Sequence, residues 1–306
     1  MEGERIAECR LRSAELEAAI SFRIPKSKFR ICIMSRHPSY LGVFLTFARN
    51  SLVRDMTFRA NFIIDTISSI SWMIMNLGFY ALVYRKTSHI ADWDKYQFFV
   101  FISTTMFVNS LVQAFFMPNA EELSEQVRTG GLDFALLKPI DTQFLVSLRK
   151  VAWSSLGNFF VALILLAYSV PRIEGLDLTV WQVVLYPLYV LMGVFILYSI
   201  MIALAATSIW LGRNQSLYDF WFYITNFSRY PMEIYEGTWG TPLRQIFTFV
   251  IPILVVINVP ARLMAKPLST EYAWMAAFGL VATVGSVLAS RWVFNRALKS
   301  YRSASS

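Results

Sequence analysis

Long windows almost free of charge alternate with short, crowded charged connections along most of the chain. A membrane-spanning helix needs about 20 mostly apolar residues, and five windows meet that need, at 61–84, 96–117, 144–170, 181–211 and 272–294. Between the last two, the aromatic stretch 215–230 and the apolar stretch 243–259 compete for one more span. Pro252, Asn258 and Pro260 interrupt the second stretch. One of the two is expected to cross the membrane and the other to be a re-entrant or interfacial helix, because broken helices at membrane depth are tolerated when buried in protein or lining a cavity. The pattern predicts an all-α membrane protein with about six transmembrane helices.

Upstream of the first window, Leu41, Phe44, Leu45, Ala48 and Leu52 recur at helical spacing, with Arg49, Arg54 and Arg59 among them. This stretch is amphipathic and too charged to span, so it is expected to lie in the inner interface. Residues 1–38 are polar, broken by Pro25 and Pro38, and read as a cytosolic tail. Glu4, Glu8, Arg12 and Glu15 would suit a short exposed helix there, and Met34 is an alternative translation start. The membrane domain is expected over 39–300, with a short tail at 301–306.

Composition agrees with the pattern. Of the 306 residues, 56% are hydrophobic and only 16% charged, against about 25% charged in soluble domains. The net charge of +8 sits beside the apolar windows, which argues for a membrane and against nucleic acid. Twenty of the 28 lysines and arginines fall on one side of the six-span topology. By the positive-inside rule that side is cytosolic, so both termini face the cytosol across a cytoplasmic (inner) membrane. Trp93 and Trp181 are expected at the outer boundary, Trp210 and Trp292 at the inner one. Cys9 and Cys32 both lie in the charged N-terminal arm and imply no disulfide framework.

The chain carries no phosphate-binding loop, no nucleophile elbow, and no histidine within a span, His37 and His89 lying outside them. It therefore reads as a non-enzyme without a metal site. The most informative connection is the inner one at 118–139. Asn119 suits an N-cap, Glu121 and Glu122 the positive end of a helix, and Gly130-Gly131 its termination. Leu123 and Val127 lie one turn apart, with Glu125 and Arg128 among the charges beside them. A helix docking a cytosolic partner is expected, with Leu123 and Val127 as anchors and Glu121, Glu122, Glu125 and Arg128 as orienting charges. Within the spans, Asp65, Asn76, Asn109, Gln113, Asn158, Asp219 and Asn258 are candidates to line a pathway or to bond between helices.

The phrase RTGGLDFALLKPID at 128–141 resembles the inner loop of ABC-2 type transporter permeases, in particular a branch near the multidrug and daunorubicin-type exporters. NFSRYPMEIY at 226–235, FVIPI at 249–253 and NVPA at 258–261 follow in the order found in that family. The resemblance covers about residues 39–300. It implies a permease subunit of an ATP-binding-cassette exporter that pairs with a second permease, identical or paralogous, and with cytosolic ATPase subunits that hold the ATP and magnesium, leaving no cofactor on this chain. It makes the helix near 119–129 the coupling helix and 243–259 an external re-entrant hairpin. An ion-gradient-driven transporter or channel, or a non-transporting scaffold, are the rival readings. A secondary carrier would show internal repeats and intramembrane charge pairs, and the sequence displays neither.

Overall fold

The computed structural model describes residues 39–211, 215–267 and 270–301. The expected N-terminal tail, with its short helix and Met34, lies outside the described residues. Helices α1 (Tyr40–Thr57) and α2 (Arg59–Val83) meet at Phe58. A two-stranded ribbon follows, β1 (His89–Ile90) against β2 (Trp93–Asp94), with Ala91 at positive φ in its turn. Next come α3 (Lys95–Phe115), α4 (Met117–Thr129), α5 (Gly131–Leu136) and α6 (Thr142–Ser147). The second half holds α7 (Leu156–Ser169), α8 (Val180–Ala206), α9 (Ser208–Leu211), α10 (Gln215–Asn226), α11 (Gly237–Gln245), α12 (Ile253–Ala265) and α13 (Thr270–Ser300).

Among the described residues, five helical stretches are long and apolar enough to cross a membrane: Arg59–Val83, Lys95–Thr129, Trp153–Arg172, Val180–Leu211 and Ala273–Ser300. The pair Gly237–Val250 and Ile253–Ala265, bent by 88°, makes a sixth if counted as one broken span. The all-α membrane architecture with about six spans therefore holds. Two boundaries move. The third span starts at Trp153, because α6 is a separate short helix and residues 148–152 are not helical. The stretch 243–259 is cut at Ile251-Pro252 after a π-turn (Ile246–Val250), whereas Pro260 sits inside α12 without ending it.

The packing centres on α3, whose apolar residues run all round the helix, the pattern of a buried one. It packs against α7, α8 and α12. Ser103 donates to the carbonyl of Ala162 at 2.7 Å, and the Thr104 and Tyr186 hydroxyls lie 3.0 Å apart. α8 packs in turn on α12 and α13. Pro260 lacks the N–H that would bond the Val256 carbonyl one turn back. α8 approaches at that carbonyl: a Cβ on Gly193 would stand 2.7 Å from the Val256 oxygen, so only glycine fits. By contrast, α2 buries only Met73 and presents Ile63, Ile64, Ile67, Ile74 and Phe79 outward. Outward faces of α7 and α13 are equally apolar, the surface expected of helices in lipid. Trp181, Trp210 and Trp292 are exposed, whereas Trp93 is fully buried within the chain.

Candidate functional site

One end of the bundle, here the terminal end, gathers α1, α4–α6 and the last turns of α13 around a small core of Leu123, Leu132, Leu145, Val146, Ile202 and Phe294. α4 follows α3 after a single residue, Phe116, with Pro118 in its first turn, where a missing N–H costs nothing. Asn119 is therefore inside the helix and is not its N-cap. Gly130 closes α4 in the left-handed conformation at φ 74°, and Gly131 opens α5 with ordinary backbone, so the expected role of the glycine pair falls to Gly130 alone.

Leu123 has no exposed surface and Val127 packs on the same core, so the two expected anchors face inward. One-face periodicity is satisfied as well by an internal partner as by an external one. Within 118–139 the exposed large apolar side chains are Phe134 at 73%, Leu136 at 41% and Leu137 at 80% exposure, on α5 and the residue after it. Beside Phe134 lies a cavity of about 300 Å³, bounded by Ala135, Leu145 and Val146 and by the cations Lys138 and Arg149. Glu121 is exposed, Glu122 pairs with Lys150 at 2.8 Å, and Glu125 and Arg128 pair with each other.

Asn119 has a different task. Its Oδ1 accepts from the Lys150 N–H and its Nδ2 donates to the Lys150 carbonyl, both at 2.8 Å. Ser51 Oγ accepts from the Val151 N–H, Ala152 donates to the Ala114 carbonyl, and the Trp153 indole donates to the Ala48 carbonyl. These bonds satisfy a partly buried, non-helical segment that would otherwise leave backbone groups unpaired. Asp141, unnoticed in the sequence except as the last residue of a phrase, caps α6 by accepting from the Phe144 N–H and is clamped by Arg291 of α13. Arg291 also donates to Gln143, which with Ser147 bonds the Tyr198 hydroxyl of α8.

The hydrogen bond from Arg291 holds the Asp141 carboxyl below its usual range, with the α6 backbone N–H groups adding to it against the effect of burial. A lowered folded value stabilises above the unfolded pKa of about 4 and loses that stabilisation as pH falls through the folded value. Asp141→Asn keeps the cap and removes the charge. It should cost about 1 kcal/mol at pH 7 and flatten the acid limb of thermal stability below about pH 4, measured on the purified chain in detergent.

The polar span residues separate into groups. Asn76, Asn109, Gln113 and Asn158 come together, lining one cavity of about 160 Å³ between α2, α3 and α7 with Ser69, Trp72, Thr105, Ser110 and Arg229. Asn258 does not join them; it is fully buried, donating to the Leu254 carbonyl and accepting from the Met232 N–H. Asp65 is exposed on α2, away from that cavity, and the Asp219 side chain lies outside the described residues.

At the opposite end, a buried ion pair joins Glu233 to Arg262 of α12. The Trp93 indole donates to Glu233 at 3.0 Å, and Lys266 stands over the Trp93 ring at 4.7 Å while bonding the Asp92 carbonyl. Gln182 of α8 bonds the Leu263 and Lys266 carbonyls that end α12. This lock ties the ribbon to the bent helix pair and had no signature in the sequence, its members being scattered over 174 positions.

No curated protein and no solved structure matches the chain. Residues 70–305 match the family model described as ABC-2 family transporter protein, without singling out the daunorubicin-type branch. That match takes in every helix from the middle of α2 onward, and so the chain belongs to the ABC-2 family, as a membrane permease component of an ABC transporter.

Proposed function

We propose that this chain is the permease of an exporter whose ATP is hydrolysed, with magnesium, on separate cytosolic ATPase subunits, and that it works beside a second permease. The observation that carries the reading is the surface of α5 at the terminal end. Phe134 and Leu137 project there beside a cavity of about 300 Å³, on a chain with no nucleotide motif of its own. Buried apolar anchors dominate docking energy, and these two side chains, with Lys138 and Arg149 to set register, suit a cleft on an ATPase. The excess of Lys and Arg supports a cytosolic position for this end and for both termini. The membrane is then the cytoplasmic (inner) one. α1, with Leu41, Leu45, Val53 and Met56 exposed beside Arg49 and Arg54, lies in the inner leaflet surface against lipid headgroups. The bent pair α11–α12 forms the external re-entrant hairpin.

Affinity purification of the tagged chain from its native membrane tests the reading. An ATPase with a phosphate-binding loop should copurify, and vesicles containing both should accumulate cargo only with ATP. Transport that persists without the ATPase and collapses with the ion gradient would replace it by a secondary carrier.

A further inference from the structure

In the cavity between α2, α3 and α7, four side chains have most of their unspent hydrogen-bonding capacity on acceptor oxygens. The Thr105 and Ser110 hydroxyls spend their protons on the carbonyls of Phe101 and Phe107, at 2.9 and 3.0 Å. The Asn76 amide nitrogen donates to the Trp72 carbonyl at 2.8 Å. Asn158 Oδ1 is buried without a hydrogen-bond partner. What these four side chains still offer is mainly oxygen lone pairs. A buried acceptor with no donor is destabilising, and in a membrane no bulk water relieves it. No carboxylate lines the cavity and Arg229 does, so a cationic ligand gains no countercharge there. The lining residues recur along α2 from Ser69 to Asn76 and along α3 from Thr105 to Gln113, which gives the polar track a length of about 10–12 Å at 1.5 Å per residue. α2, nearly unburied, leaves the track beside an apolar outer surface, with Trp72 exposed at 61%.

We infer that this cavity binds a neutral, hydroxyl-rich amphiphile, its hydroxyl donors on Asn158, Asn76, Thr105 and Ser110 and its apolar tail along the outer face of α2. Polyol hydroxyls supply donors to these oxygens and lone pairs to the Arg229 guanidinium and the Asn109 and Gln113 amides, and the Trp72 ring offers a flat apolar face to the carbon side of a sugar-like headgroup. Asn109 and Gln113 of α3 lie one turn apart and extend the same track. The inference rests on the permease reading only in taking the ligand to be cargo; binding itself needs no ATPase.

The test uses the full chain in phosphatidylcholine nanodiscs and three probes with one dodecyl tail: dodecyl maltoside below its micellar concentration, dodecyl phosphate and dodecyltrimethylammonium. Trp72 emission, taken as the difference between the wild type and Trp72→Phe, reports occupancy. Saturable binding of the maltoside, at least tenfold tighter than of either charged probe, is expected, with at least a tenfold loss in Asn158→Leu. Should Asn158→Leu misfold, Asn109→Leu, at a partly exposed position, is expected to lose affinity in the same direction. Equal binding of the three heads, or unchanged maltoside affinity in the folded variants, overturns the inference. Loss of the binding with the ATPase still copurifying would leave the permease reading standing, and the converse result would overturn that reading alone.

Discussion

Phe134→Asp combined with Leu137→Asp should leave the chain folded and inserted, yet reduce ATP-dependent transport at least a hundredfold. Both side chains are largely solvent-facing, so replacing them breaks no internal packing, and surface substitutions away from special features usually change stability by about 0.5 kcal/mol or less. Two lost anchors of about 2 kcal/mol each remove most of the affinity of a small docking contact. The measurement is substrate-stimulated ATP hydrolysis in the reconstituted complex, beside the melting temperature of the permease alone. Leu123→Asp separates docking from folding. It would place a carboxylate in the core beside Leu132 and Phe294, so its melting temperature should fall first and its transport should be lost with the fold. Wild-type hydrolysis in the double aspartate variant would move the docking surface away from α5.

Glu233→Ala should destabilise the chain by about 3–5 kcal/mol, because it leaves the Arg262 charge, 8% exposed, without its carboxylate. Burial alone would push the Glu233 carboxyl up, but the Arg262 charge and the hydrogen bonds from Arg262 and Trp93 outweigh it and hold the value below the usual range. The contribution is then present above the unfolded pKa of about 4.3 and is lost as pH falls through the folded value. Replacing both partners, as Glu233→Leu with Arg262→Met, should recover most of the loss, since a buried ion pair costs much of its attraction in desolvation. Thermal unfolding followed by tryptophan emission checks both, Trp93 being inside the lock. A single variant as stable as the wild type, or a double variant no better than the single one, would show that Arg262 is balanced elsewhere.

The spans were legible because the bilayer imposes a length and a composition on every crossing helix, and both can be counted along a chain. Contacts between distant residues were not. Asp141 and Arg291 are 150 positions apart, and nothing in the periodicity of α6 or α13 announces that they meet. Asn119 misled because an amide before two glutamates has the signature of a cap, while Pro118 lets the helix begin two residues earlier. Leu123 misled because a stripe on a short helix says that something covers it, without saying whether that is this chain or another. The broken stretch near Pro252 was readable as broken, and its tie to the rest through Asn258 and Met232 was not. Of the polar span residues, four of seven share one cavity; the sequence supplied their depth, and only the packing of α2 beside α3 and α7 supplied their company.

The stitched segment at 150–153 has a consequence for how the protein is made. Its partners Asn119, Ala114, Ser51 and Ala48 all lie upstream, the last two about a hundred residues earlier. During synthesis the ribosome therefore delivers every donor and acceptor for this stretch before the stretch itself emerges, and it meets a template rather than a vacancy. Long-range contacts are slow to form when both halves must search, and here one half has already been synthesised when the other arrives. A circular permutant that moved α1 behind α13 would keep every bond in the finished molecule and lose that order, leaving the segment exposed while the rest of the chain is still being translated.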